Sequence, residues 1–245
     1  MKISDTSALV LNWTSPALWK SQNAKEYFSR LDLSAGSELL ALFDETEDYM
    51  HTQAVSNRKF FVRKCGVDFL EKNPHGQVVI LAAGIAPLSV ELASLYPESK
   101  VFDVDKILMS DKEKYLGGVC PNIKFIECDI TNIELLHEKL LENNWNRSEP
   151  MILIMEGIIY YLNRYDLEDI LIFFAESNSV FACDFGIKPE FVNGNNRKYG
   201  TEVFRKIMEK VGLSSMYFYE PNNFLKLLKK AGFKYYTFVQ PPFYY

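Results

Sequence analysis

The sequence predicts an α/β protein: a doubly wound, mostly parallel sheet with a cap of helices before it. Two observations carry this. Apolar runs at Val78 to Ala83, Lys100 to Val104, Asn122 to Glu127, Met151 to Met155 and Val180 to Cys183 alternate with stretches of helical periodicity, the pattern of strand–helix repeats that buries a parallel sheet on both faces. Each run also stops at or beside a glycine or an acid: Gly84, Asp105, Asp129, Glu156 and Asp184. Ligands of such sheets lie beyond the carboxyl ends of the strands, so polar residues at every strand end mark that edge as the working one.

In chain order, residues 1–75 read as the helical cap and 76–245 as the core. Thr14-Ser15-Pro16 is a helix start, since proline has no N–H to lose in a first turn, and Leu18, Tyr27, Phe28 and Leu31 fall on one stripe. Ser34-Ala35-Gly36 breaks the chain. Leu39, Leu40, Leu42 and Phe43 begin a second helix, and Ser56 to Leu70 forms a third. Within it, Asn57-Arg58-Lys59 sets two cations beside Phe60 and Phe61; spacing alone reads them as a solvated basic face.

The core opens with Val78 to Ala83, apolar throughout and rich in β-branched residues, as a strand buried on both faces requires. Gly84 turns the chain, Pro87 opens a helix through Leu88, Leu92 and Leu95, and Asp105 ends the next strand. An acid about 20 residues past a glycine turn is where a nucleotide-binding βαβ unit meets ribose hydroxyls. A pyrophosphate wants several glycines for close backbone approach, and Ala82-Ala83-Gly84-Ile85-Ala86 has one, so this turn suits a nucleoside without phosphates. Further on, Thr131 or Asn132 caps a helix to about Leu141 and Asp166 starts another. Ile187 to Gly200 reads as a polar loop, mobile or near the site entrance, with a helix to about Val211 after it; Glu220-Pro221 opens a helix closed by Gly232, and Phe233 to Val239 is a final strand.

With 245 residues, 48% of them hydrophobic, the chain has material for one large core. Its net charge of −5 argues against a nucleic-acid partner, whose phosphates want a basic face. No apolar run reaches the length of a membrane span. The first residues show no signal-peptide cleavage pattern, and the four cysteines lack CxxC spacing, so the expectation is a cytoplasmic protein with free thiols and no metal site.

Several segments together, Asn57-Arg58-Lys59, ILAAGIAP (80–87), VFDVD (101–105), Cys128-Asp129-Ile130 and MEGIIYYL (155–162), resemble the class I S-adenosylmethionine-dependent methyltransferases, with their Rossmann-like sheet. Within that class they are most similar to the leucine carboxyl methyltransferase-like family, which includes natural-product O-methyltransferases. The resemblance implies S-adenosylmethionine as cofactor and gives the residues roles. Arg58 would hold the ligand carboxylate in a planar guanidinium fork. The backbone at Ala83 and Gly84 would approach the methionine part, Asp105 would take the ribose hydroxyls, and Asp129 with Ile130 would face the adenine edge. Glu156 would lie near the ammonium or the transferring methyl. Tyr160 or Tyr161 would line the sulfonium, whose charge an aromatic face stabilises.

The reaction so implied is methyl transfer to an oxygen of a small molecule. A carboxylate is one such acceptor; it is already ionised at neutral pH and needs alignment and desolvation rather than a strong base. Two alternatives stay open. The cofactor's own amine could attack its γ-carbon to give azetidine-2-carboxylate and methylthioadenosine, with Glu156 or Asp103 taking the proton. Or the protein binds the cofactor without catalysis.

Overall fold

Parallel strands cannot be joined by tight hairpins, and here helices make the crossovers. The computed structural model describes residues 4–175, 179–188, 191, 205–209, 216–234 and 237. Strand β1 (Gln77–Leu81) lies between β2 (Lys100–Asp105) and β4 (Met151–Met155), and β3 (Ile123–Glu127) and β5 (Ser179–Cys183) extend the sheet outward. The order is β3-β2-β1-β4-β5 and every pairing is parallel, as the five apolar runs predict. The strand expected at Phe233 to Val239 lies for the most part outside the described residues.

The cap differs in detail from its reading. A helix α1 (Asp5–Asn12), capped by the Ser4 hydroxyl on the Ser7 amide, forms where only a short apolar patch stood out. Pro16–Leu18 is a single 3-10 turn, followed by α2 (Gln22–Ser29), and the second expected helix shrinks to the one turn of α3 (Ser37–Leu40). The third starts well before Ser56: α4 runs Glu45–Lys72. Its start is fixed by a reciprocal cap, the Asp44 carboxylate accepting from the Thr46 and Glu47 amides while the Glu47 side chain accepts from the Asp44 amide. Further helices are α5 (Leu88–Leu95), α6 (Met109–Leu116), α7 (Ile133–Glu142), α8 (Arg164–Phe174) and α9 (Pro221–Ala231), and residues 205–209 are helical as well. No helix among the described residues is long and apolar enough to cross a membrane.

Strand side chains alternate between faces, and both faces are covered. Val79, Leu81, Phe102 and Leu153 pack with Leu136 of α7, Leu167 and Phe174 of α8, Phe224 of α9 and Trp145. Val78, Ile80, Val101 and Ile152 meet Tyr27 of α2, Val62 and Leu70 of α4, Leu92 of α5 and Trp19. A third cluster, with Trp13, Leu9, Leu39 and Val55, joins α1 and α3 to α4 and takes in Ile207.

One buried acid ties the cap to the core. Glu91 of α5 is fully buried, accepts the Lys20 and Ser21 amides, each at 2.9 Å, and accepts from Arg63 Nε of α4 at 2.7 Å. Burial by itself pushes the Glu91 pKa up; the Ser21 and Lys20 amides, with Arg63, outweigh it and bring the carboxyl below its usual value. Removing one partner of a buried pair costs about 3–5 kcal/mol, and Glu91→Gln is expected to lose stability of that order near neutral pH. A group with a lowered folded pKa contributes stability above its unfolded pKa and loses it as pH falls through the folded value. Urea titrations of the two proteins should therefore converge as pH drops below the ordinary carboxylate range.

Candidate active site

Leu81 pairs with Val104 on one side and with Met155 on the other, Met155 with Cys183, and Asp105 with Glu127. The residues that follow therefore leave the sheet side by side, in the order Asp129, Asp105, Gly84, Glu156, Asp184. Parallel strands stand about 4.8 Å apart, so this row spans roughly 19 Å.

The turn after β1 is held from its neighbour. The Gly84 amide donates to Asp105 Oδ2 at 2.8 Å, and Asp105 Oδ1 accepts the Ile107 amide at 3.4 Å. Burial raises the Asp105 pKa, and the Gly84 and Ile107 amides work against that rise. Ala82 and Gly84 are left-handed, with φ of 54° and 53°. For Ala82 that conformation costs about 1–2 kcal/mol. For Gly84 it is free of that cost, and no atom lies within 4 Å of where a Cβ would stand, so the outer side of the turn has room for a ligand. Ala83 is buried, its amide on Val104 O at 3.0 Å.

At the ends of β4 and β5 four charges meet. Arg58 Nε lies 3.1 Å from Glu156 Oε1 and Arg58 Nη1 3.5 Å from Asp184 Oδ2, while Lys59 Nζ reaches Glu156 Oε1 at 2.8 Å. Asp184 Oδ1 also accepts the Gly157 amide at 2.6 Å. Arg58 and Lys59 are therefore no solvated face: Lys59 is 4% exposed and Arg58 18%, because α4 packs across the ends of β4 and β5 and their acids draw both cations inward. Burial works to lower the Arg58 pKa, and Asp184 and Glu156 raise it on balance. The two acids part. Burial pushes Glu156 up, but Lys59 and Arg58 bring it below its ordinary value, whereas for Asp184 burial prevails and the pKa is raised.

Of the two tyrosines, Tyr160 is the inward one. In the 3-10 turn Ile159–Tyr161 it is buried, with its hydroxyl 3.4 Å from where a Cβ on Gly157 would stand, while Tyr161 is 36% exposed and meets it edge-on at 4.8 Å. Burial raises both phenol pKa values. Asp129 ends the row at β3, Oδ2 on Lys106 Nζ at 2.8 Å and Oδ1 accepting from the Thr131 hydroxyl at 2.8 Å, with Ile130 buried beside it. Its contacts with Lys106 and Thr131 lower the Asp129 pKa to about 2. Asp103 does not reach the strand ends; it is fully buried inside β2 and paired with Lys112. Lys59 and Asp184 join the node without having been given roles from sequence. The signals were present: Lys59 adjoins Arg58, and Asp184 ends a strand as the other acids do.

A parallel sheet of this order, with a glycine turn, a neighbouring acid and a charged node beyond its strand ends, has the form of the α/β proteins that bind ligands at that edge. The sequence model described as leucine carboxyl methyltransferase matches residues 19–175. The chain belongs to that family, and its cofactor is S-adenosylmethionine. Among solved structures it is similar to a DUF574 family protein from Streptomyces avermitilis MA-4680 (16% identity, 91% of this chain and 81% of that one, TM-score 0.62). It is also similar to a candidate methyltransferase from Thermobifida fusca YX (16%, 90% and 78%, TM-score 0.59). A third is magnesium protoporphyrin IX methyltransferase from Synechocystis PCC 6803 with bound S-adenosylhomocysteine (13%, 84% and 86%, TM-score 0.50). At these identities the likeness is one of fold. No curated protein matches.

Gly157 gives a local test of the node. Its φ is 72°, and an added Cβ would stand 3.4 Å from the Tyr160 hydroxyl and 3.7 Å from Arg58 Nη2. Gly157→Ala is expected to cost about 1–2 kcal/mol from backbone conformation alone, read as a lower urea midpoint.

Proposed function

We propose that this enzyme transfers the methyl group of S-adenosylmethionine to an oxygen of a small molecule, in the first place a carboxylate. The observation that carries the reading is the row of strand ends in which the Gly84–Asp105 turn stands next to the Arg58–Glu156 node. The residues fit the cofactor along that row. A carboxylate offers about four lone-pair positions; two on Asp105 take the Gly84 and Ile107 amides, and the others suit ribose hydroxyls. Gly84 leaves space for the amino-acid tail, with Ala83 supporting the turn. Arg58 would hold the tail carboxylate and Glu156 its ammonium, while Asp129 and Ile130 border the adenine. Tyr160 would line the sulfonium, with Tyr161 at the more open side. When bound, the cofactor supplies a methyl group activated by its sulfonium.

What supports oxygen as acceptor is the family, together with the placing of the histidines. His51 packs among Trp13 and Phe43, His75 lies beside Glu98, and His137 against Trp145 and Phe173, contacts that tie none of them to Arg58, Glu156 or Asp184. A carboxylate needs no proton removed before attack, so alignment and exclusion of water are what the site has to provide. The cyclase reading gains nothing: Asp103, one of its two proton acceptors, is sealed beneath the turn. The non-catalytic reading falls with membership of the family.

Incubation with S-adenosylmethionine and a panel of carboxylic acids tests the proposal. S-adenosylhomocysteine is expected only when an acceptor is present; methylthioadenosine formed from the cofactor alone would overturn it. Asp105→Ala is expected to weaken cofactor affinity, since a lost charge-assisted hydrogen bond is worth about 1.5–3 kcal/mol, or roughly ten- to a hundredfold. Arg58→Lys is expected to weaken it too, because a point charge cannot reproduce a two-pronged fork. Calorimetry reads both, and native affinity in either variant would remove that residue from the site.

A further inference from the structure

The underside of the glycine turn is held as firmly as its outer side is open. Lys112, on α6, is 0% exposed, and its ammonium has three partners: Asp103 Oδ2 at 2.6 Å, Gly84 O at 3.1 Å and Ala86 O at 2.9 Å. An ammonium has three donors, and all are spent. Between those two carbonyls, Ile85 O accepts the Tyr27 hydroxyl of α2 at 3.0 Å. Burial, and after it the Asp103 charge, raises the Tyr27 pKa, so the phenol stays a donor. Asp103 is fixed in turn by the Ser89 hydroxyl of α5 at 2.6 Å. Three successive carbonyls of one turn are thus drawn to the buried side by groups from two helices.

Stability alone does not account for this arrangement. Replacing a buried ion pair by apolar groups of similar volume is often neutral or stabilising. What an ammonium does here that a hydrocarbon cannot is choose one backbone conformation, against the left-handed preference cost at Ala82, and keep the carbonyls turned from the ligand side. We propose that Lys112 and Tyr27 are positioning residues for cofactor binding: they hold the carbonyls of Gly84, Ile85 and Ala86 inward so that the open side of Gly84 meets the cofactor. This rests on the cofactor occupying the turn, as argued above.

Three variants test it by calorimetry with S-adenosylhomocysteine, with thermal unfolding and hydrogen exchange of residues 82–87 alongside. Asp105→Ala reports on the site itself: native affinity there would move the cofactor away from the turn and overturn the inference together with the reading beneath it. Given weakened binding in Asp105→Ala, the double variant Lys112→Met/Asp103→Leu is expected to keep its melting temperature, to exchange faster over 82–87 and to bind about tenfold more weakly, the loss of one or two hydrogen bonds to the turn. Tyr27→Phe keeps the ring and removes one hydroxyl; it is expected to bind severalfold more weakly, and it decides the matter if the double variant does not fold. Native affinity in either folded variant would reduce these residues to packing and overturn the inference, while leaving the cofactor site in place.

Discussion

The register of β1 against its two neighbours determines where every polar group of the site stands. Because Leu81 is level with both Val104 and Met155, Ala82, Asp105 and Glu156 leave the sheet together. A slip of one place turns every side chain to the opposite face. For most of this sheet such a slip would go unpunished, since both faces are apolar. Asp103 is an exception in mid-strand. It faces the α5 and α6 side, where Lys112 and Ser89 receive it; one place along, it would enter the apolar face covered by α7 and α8, where burying a lone carboxylate is prohibitive. The buried pair therefore marks the register as well as supporting the turn.

The charged node follows from the same alignment. Glu156 and Asp184 end adjacent strands, and like charges so close would repel in a medium of low dielectric. α4 resolves this by laying Arg58 and Lys59 across them. Both acids lean on Arg58, but Lys59 makes its ion pair with Glu156 and acts on Asp184 only through the field, so burial prevails at Asp184 and is outweighed at Glu156. Two neighbouring carboxyls of one node thus have pKa values moved in opposite directions, Glu156 down and Asp184 up.

Much of the architecture was legible. The five strands were, because a continuous apolar run ended by a polar stop has few other readings, and so were the glycine turn and Asp105. Helix α6 was not: between Met109 and Leu116 its residues are Ser-Asp-Lys-Glu-Lys-Tyr, and a helix with so narrow an apolar face leaves little periodic signal. Lys112 went unread with it, since nothing local says that one lysine of such a helix is buried. The α4 cations were misjudged by spacing for the same reason; their partner Glu156 lies 98 and 97 residues away, and only the fold brings it to them. The start of α4 was written in Asp44 and Glu47, upstream of the stripe that drew attention.

The three tryptophans have a use beyond packing. Each belongs to a different cluster: Trp13 to the one joining α1 and α3, Trp19 to the sheet face under the cap, and Trp145 to the opposite face. All three are buried, so each would shift its emission to longer wavelength when its own surroundings open to water. Variants that keep one indole at a time turn the molecule into three separate optical gauges, able to tell whether cap and sheet come apart as one body or in sequence.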